Sequence, residues 1–170
     1  MNTARLYIYS LICKFLPPTR CFGLKASLLR WCGAKVGKNT EIVSSAKIMG
    51  DLELDIGDNV FIGHEAMIFG PAGSKITLED YCKVGSRAVL VTGSHEYSLD
   101  YPSIAGPGTC KSLIIKRGAS VGTNAIVLPG KTIGNKSHVA AGSVVTHDVP
   151  DKVRVAGIPA HVIKDFTKSD

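Results

Sequence analysis

The amino-acid sequence predicts an all-β chain, a parallel β-helix of hexapeptide repeats behind a short helical segment. The first observation is a period of six. Ile115, Val121, Val127, Ile133, Val139 and Val145 are all β-branched aliphatics, and such a run arises by chance roughly once in 4,000 starting points. Neither the 3.6-residue period of a helix nor the plain alternation of a strand produces it. The second observation is what stands between these residues. Gly122, Gly134 and Ala140 directly follow three of them, and Ala119, Ala125, Ser137, Ser143 and Val149 fill the place four residues on. The third is composition: 18 glycines in 170 residues and only 6% aromatics suit a narrow aliphatic core with tight corners.

Each hexapeptide makes one short flat face. Its β-branched residue points inward and fits a pleated surface. Gly, Asn and Lys between the faces turn the corners, because Gly and Asn accept unusual backbone angles at low cost. Three faces close a triangular turn of about eighteen residues, and successive turns pair in parallel about 4.8 Å apart. One turn cannot bury its apolar face, whereas a stack can.

Residues 1–33 form the N-terminal segment. Residues 3–16 read as a helix stopped by Pro17-Pro18, and residues 22–32 as a second short helix ending near Trp31. In the first helix Thr3, Ser10 and Lys14 share one narrow face and most of the rest is apolar. Lys14 interrupts the apolar run and no small-residue cleavage site follows, which argues against a signal peptide. The stretch is too short to span a bilayer. Two readings remain, a cap on the open first edge of the stack and a peripheral contact with the inner face of a membrane; the cap is favoured.

Residues 34–170 form the β-helix domain. Val36, Ile42, Ile48 and Leu54 begin the repeat, the frame slips by two, and Ile56, Ile62 and Ile68 resume it. Gly70-Pro71-Ala72-Gly73-Ser74 is a turn cluster, after which Leu78, Val84 and Leu90 return to the frame. A long excursion follows at residues 92–112, with no period of six. A loop thrown out of a regular solenoid is usually functional or disordered. The last repeats run from Ile115 to Val149, then one more strand and turn to Pro159, then a short C-terminal tail over His161 to Phe166. Lys131 is the odd member, a charged residue in a place otherwise held by small or aliphatic ones.

Composition excludes several functions. The net charge is +6, but Lys and Arg are dispersed, which argues against nucleic acid as a partner. Five cysteines without paired spacing suggest reduced thiols and a cytoplasmic setting, and no Cys/His pattern suggests a metal site. Chemistry points to the excursion. It opens with Thr92-Gly93-Ser94-His95, and a His fixed at the mouth of a loop suits a general base near neutral pH. A surface His in a local turn bond is the plainer alternative.

From Val36 to Lys164 the chain resembles the hexapeptide-repeat acyltransferases. Within them it is similar to the maltose/galactoside O-acetyltransferases and, more closely, to the sugar acetyltransferases of capsule, exopolysaccharide and O-antigen pathways. The residues that carry this are Thr92 to Ser98, Val127-Leu128-Pro129-Gly130 with Ile133-Gly134, Val139 to Thr146, and Val155-Ala156-Gly157-Ile158-Pro159-Ala160. Gly33-Ala34-Lys35-Val36-Gly37, after two helices, resembles the polysaccharide group.

The resemblance implies a left-handed coil, against the usual right-handed crossover rule, and a homotrimer with each active site between two subunits. It implies acetyl-CoA as co-substrate, no metal, and His95 as the base that deprotonates a sugar hydroxyl for direct attack on the thioester. Glu96 then supports His95. His64 or Glu65 falls where the galactoside group has an acceptor-binding Asn, which this chain lacks. Gly122, Thr123, Ala141 and Gly142 match the pantetheine groove; Thr146, His147, His161 and Lys164 lie further along it, with His161 where the family more often has a basic residue. Three alternatives stand beside this reading. A zinc carbonic anhydrase needs a second His five after His95, where Asp100 stands. An N-acetyltransferase acting on an amino-sugar nucleotide or an antibiotic uses the same chemistry on another nucleophile. A non-catalytic trimeric scaffold uses none.

Overall fold

The computed structural model of the protein describes residues 1–168. Two helices, α1 (Thr3–Phe15) and α2 (Phe22–Trp31), precede a solenoid of five turns. Turn one holds β1 (Lys35–Val36), β2 (Glu41–Ile42) and β3 (Lys47–Gly50); turn two holds β4 (Glu53–Ile56), β5 (Phe61–Ile62) and β6 (Met67–Gly70). Turn three holds β7 (Lys75–Leu78), β8 (Lys83–Val84) and β9 (Val89–Val91), and is followed by a hairpin of β10 (Gly93–Tyr97) and β11 (Ala105–Cys110). Turn four holds β12 (Leu113–Ile115), β13 (Ser120–Val121) and β14 (Ile126–Val127); turn five holds β15 (Thr132–Ile133), β16 (His138–Val139) and β17 (Val144–Val145). The chain closes with β18 (Val153–Gly157) and β19 (Ala160–Asp165).

Equivalent strands stack into three sheets, one per face. The first face runs β1-β4-β7-β12-β15, the second β2-β5-β8-β13-β16-β18-β19, and the third β3-β6-β9-β14-β17. All neighbours within the coil are parallel; β19 alone joins β18 antiparallel. The period-six residues are the core: Ile115, Val121, Val127, Ile133 and Val139 are fully buried, as are Ala119 and Ala125 in the fifth places. Asn39, Asn59, Asn124, Lys136 and Lys152 turn corners with positive φ, which keeps the strands flat between them.

The irregularities of the sequence fall at one corner. On the third face Ile48 pairs with Ile68, Ile68 with Leu90, Leu90 with Val127 and Val127 with Val145, so successive turns take 20, 22, 37 and 18 residues. The extra residues all lie where the third face hands over to the next first face: Asp51 to Leu52, the Gly70 to Ser74 cluster, and the long excursion. The frame slip is absorbed by β4, in which both Leu54 and Ile56 are buried. The excursion is an ordered antiparallel hairpin that projects from the coil.

The segment read as a C-terminal tail is corrected by the structure. Residues 160–165 form β19, paired with β18 through Val155 to Val162 and Arg154 to Lys164. Gly157, at φ 106, and the turn through Pro159 reverse the chain, and the last parallel edge acquires a partner. At the other end, α1 and α2 lie on the first turn. Leu6, Tyr9, Cys13, Ala26, Leu29 and Cys32 join Val36, Ile42 and Ile48 in one continuous core. Lys25, fully buried, donates to the carbonyls of Pro17 and Pro18 at 3.1 and 2.8 Å. All five cysteine thiols are free.

Candidate active site

His95 stands on β10 at the base of the hairpin. The bonding of its ring sets its chemistry. Nδ1 lies 3.0 Å from the carbonyl oxygen of Gly106 on β11. A carbonyl only accepts, so Nδ1 carries the proton and Nε2 of the neutral ring keeps its lone pair. The Tyr101 ring lies against Gly106, where a Cβ would collide with it. Tyr101 Oη in turn donates to Glu96 Oε2 at 2.8 Å, and that bond raises the Tyr101 pKa. The orienting partner of His95 in this chain is therefore the Gly106 carbonyl. Glu96, the sequence's candidate for supporting His95, accepts from Tyr101 within the same hairpin.

His95 divides two clefts. The one toward the early turns, about 640 Å³, is largely apolar, with Met49, Phe69, Pro71 and Val91 among its walls. The one toward the late turns, about 320 Å³, is lined by Lys111, Leu128, Pro129, Lys131 and Thr146. Lys131 thereby finds its explanation. Its place in the hexapeptide falls on the corner that carries the hairpin, and its side chain borders the cleft instead of entering the core. Beneath the hairpin, Ser74 and Thr92 share a buried hydroxyl bond of 2.7 Å that ties turn two's insertion to the mouth of the excursion.

The other candidate residues separate into two groups. Thr146 and His147 lie at the corner of His95, with Thr146 Oγ1 2.9 Å from His147 Nδ1. His64, Glu65, Gly122, Thr123, Ala141 and Gly142 stack at a different corner, between the second and third faces. Arg87 N donates to His64 O at 2.7 Å and Gly142 N to Thr123 O at 2.8 Å, so these residues form one column along the coil. A single chain does not bring this column to His95. Within it Ser45 Oγ lies 3.0 Å from His64 Nδ1, and Glu65 Oε2 accepts from Arg87 Nε at 2.8 Å, which holds the Glu65 carboxyl below its usual range. The column is open at Gly142, where a Cβ would meet nothing within 4 Å, and closed at Gly122, where a Cβ would lie 2.7 Å from Ala141 N. His161 and Lys164 lie on β19, at the far edge of the second face. Sequence reasoning missed Gly106, Tyr101, Cys110 and Lys111 around His95; only Lys131 carried a signal, as the exception within its repeat. Among the described residues no group of three His, Cys, Asp or Glu side chains could hold a metal ion.

The fold and its relatives define a class. The sequence profile described as the hexapeptide repeat of succinyl-transferase matches residues 54–90 and 113–147. The "Putative colanic acid biosynthesis acetyltransferase WcaF" of Escherichia coli (strain K12) is 30% identical over 153 residues, 90% of this chain and 81% of that protein. The galactoside O-acetyltransferase of the same strain is 27% identical over 148 residues, 86% of this chain and 70% of that protein. Among solved structures, the hexapeptide-repeat acetyltransferase VCA0836 of Vibrio cholerae O1 biovar eltor, complexed with acetyl coenzyme A, superposes with a TM-score of 0.76. It is 27% identical, with 96% of this chain and 86% of that one covered. The chain belongs to the hexapeptide-repeat acyltransferases, enzymes of the left-handed β-helix.

Proposed function

We propose that this acyltransferase moves an acetyl group from acetyl-CoA to a sugar hydroxyl in the biosynthesis of a polysaccharide, with His95 as general base in a ternary complex. The observation that carries the reading is the bond from His95 Nδ1 to the Gly106 carbonyl, 3.0 Å, which leaves Nε2 as an acceptor between two clefts. Acetyl-CoA supplies the acyl thioester. His95 Nε2 takes the proton from the sugar hydroxyl as that oxygen forms its bond to the thioester carbonyl carbon. The C–S bond then breaks, and His95 returns the proton to the departing sulfur. No covalent acyl-enzyme is needed, so no activated Ser or Cys has to be found.

Substrates are apportioned by the walls. The Lys111 and Lys131 side of His95 suits the donor, the apolar side the acceptor ring. Gly122, Thr123, Ala141 and Gly142 present backbone and small side chains on a column that is open at Gly142, which fits a slender pantetheine arm. Thr146, His147, His161 and Lys164 complete the donor path. Because that column and His95 occupy different corners of one chain, the reading requires a homotrimer in which one copy's hairpin faces the next copy's column. His64 and Glu65 then come within reach of the acceptor. The acetyl-CoA held by the Vibrio relative and the colanic acid named for the Escherichia coli relative support this choice of donor and pathway.

The test is thiol release from acetyl-CoA across sugars, nucleotide sugars and amino sugars, with His95→Ala alongside. Turnover on a hydroxyl acceptor that falls about 10²–10⁴-fold in kcat/KM in the variant is the expected outcome. Wild-type kcat/KM in His95→Ala removes His95 as base. Turnover on amines alone replaces the reading with N-acetyl transfer. No turnover and no CoA-dependent rise in Tm leaves the trimeric scaffold.

A further inference from the structure

The helix α1 is apolar on two opposite sides. With 3.6 residues per turn, Leu6, Tyr9 and Cys13 share the side that enters the core. Ala4, Tyr7, Ile8, Leu11 and Phe15 fall together on the side that faces away from it. These are exposed, Phe15 at 89%, Tyr7 at 66% and Ile8 at 45%. A cap needs one apolar side only. Nearby, Trp31 is 45% exposed, with Arg5 stacked 5.1 Å from its ring centre.

Charge points to what covers this face. Basic residues are spread along the chain but acidic ones are not. Residues 1–40 contain Arg5, Lys14, Arg20, Lys25, Arg30, Lys35 and Lys38 and no Asp or Glu, whereas the remaining residues hold 13 basic and 14 acidic side chains. Residues 1–40 thus carry +7 against −1 for the rest, and five of those seven cations lie in residues 1–33. Lys14, next to Phe15 in sequence, and Arg20, five residues beyond it, are both exposed. A second copy meeting this face with its own about a twofold axis is a poor occupant, because the two faces would oppose like charges.

We propose that α1 docks the enzyme on an anionic lipid bilayer, with Tyr7, Ile8, Leu11 and Phe15 inserted at the headgroup boundary and Lys14 and Arg20 against lipid phosphates. Among the described residues no helix is long and apolar enough to cross a membrane, so the contact is peripheral. The groove between α1 and β3 shares Met49 and Gly50 with the apolar cleft that ends at His95. The docked helix and the candidate base are therefore joined along one side of the solenoid. The inference does not depend on which acceptor the enzyme uses.

The test is co-sedimentation of the full chain with vesicles of phosphatidylcholine alone or mixed with phosphatidylglycerol. Wild type is expected to pellet with the anionic vesicles and to be released by salt. The double variant Ile8→Ser/Phe15→Ser is expected to bind about tenfold more weakly, with Tm and thiol release on a soluble acceptor unchanged. A second variant, Lys14→Glu/Arg20→Glu, alters only exposed polar positions and is expected to lose the preference for anionic lipid, which covers the case in which the first variant misfolds. Wild type that stays in the supernatant with anionic vesicles overturns the proposal, as do variants that pellet like wild type. A drop in oligomer size in Ile8→Ser/Phe15→Ser without lipid also overturns it and makes the face an interface between copies.

Discussion

Gly106 illustrates how a residue without a side chain acts in the candidate site. Its carbonyl accepts the hydrogen bond from His95 Nδ1, and its missing Cβ admits the Tyr101 ring. Nothing in the local sequence marks it, because the partner it serves is eleven residues away across a hairpin. His138 shows the reverse case, a side chain whose surroundings change its chemistry. It is partly buried on β16, and Arg154 lies opposite it on β18. Burial first, and the Arg154 charge second, hold its imidazole below the ordinary value near 6.5. The folded state thus prefers neutral His138. As pH falls through about 6.5 the unfolded chain takes up a proton that the folded chain resists, and stability declines. Urea midpoints are expected to fall between about pH 7.5 and pH 5.5, with a shallower fall in His138→Gln. Equal slopes in the two proteins would remove His138 from the account.

Corners matter as much as strands at the scale of the element. Where a face ends in an aliphatic-Gly pair, the Gly sits directly over the backbone of the next turn. A Cβ built on Gly85 would lie 2.8 Å from both Val121 O and Thr123 N. Two turns one strand spacing apart leave no room there, and backbone cannot rotate away as a side chain can. Gly85→Ala is expected to cost more than about 2 kcal/mol in urea unfolding. Gly23 is the contrast: it lies in α2, and a Cβ there meets nothing within 4 Å. Gly23→Ala is expected to stabilise by a few tenths to about 1 kcal/mol, since Gly is the poorer helix former. The same substitution thus takes opposite signs at two places, and like signs in the measurement would refute the stacking argument. The aliphatic-Gly pairs were visible in the sequence. Their reason, the approach of the next turn, was not, because it depends on which residues stack.

At the scale of the whole molecule, stability and the proposed chemistry are carried by different parts. The core is one continuous column from α1 to β18, and no residue from 93 to 112 belongs to it. Inserted at a corner, the hairpin lengthens a turn without disturbing the stack. Replacing residues 94–109 with a short Gly-rich linker is therefore expected to shift unfolding free energy by less than about 1 kcal/mol, because loop-closure entropy varies slowly with length. Thiol release is expected to disappear in the same variant, with CoA-dependent stabilisation retained. A large loss of stability would mean that the hairpin carries packing that one chain does not display.

The sequence by itself determined the architecture: the period of six, the burial of its β-branched residues, the two helices, the place of the excursion and His95 at its mouth. Short-range patterning suffices for these, because every turn repeats one local rule of inward aliphatics, small fifth places and left-handed corners. Only the tertiary structure decided what that rule does not address. It gathered three irregular insertions at one corner, turned the predicted tail into β19, gave His95 its Gly106 partner, and brought Lys131 to a cleft. It also separated the His64 to Gly142 column from His95, since consecutive corners of a triangular coil point in different directions. Each of these depends on which turn lies above which, a relation set by the stacking of the whole coil and carried by no single hexapeptide.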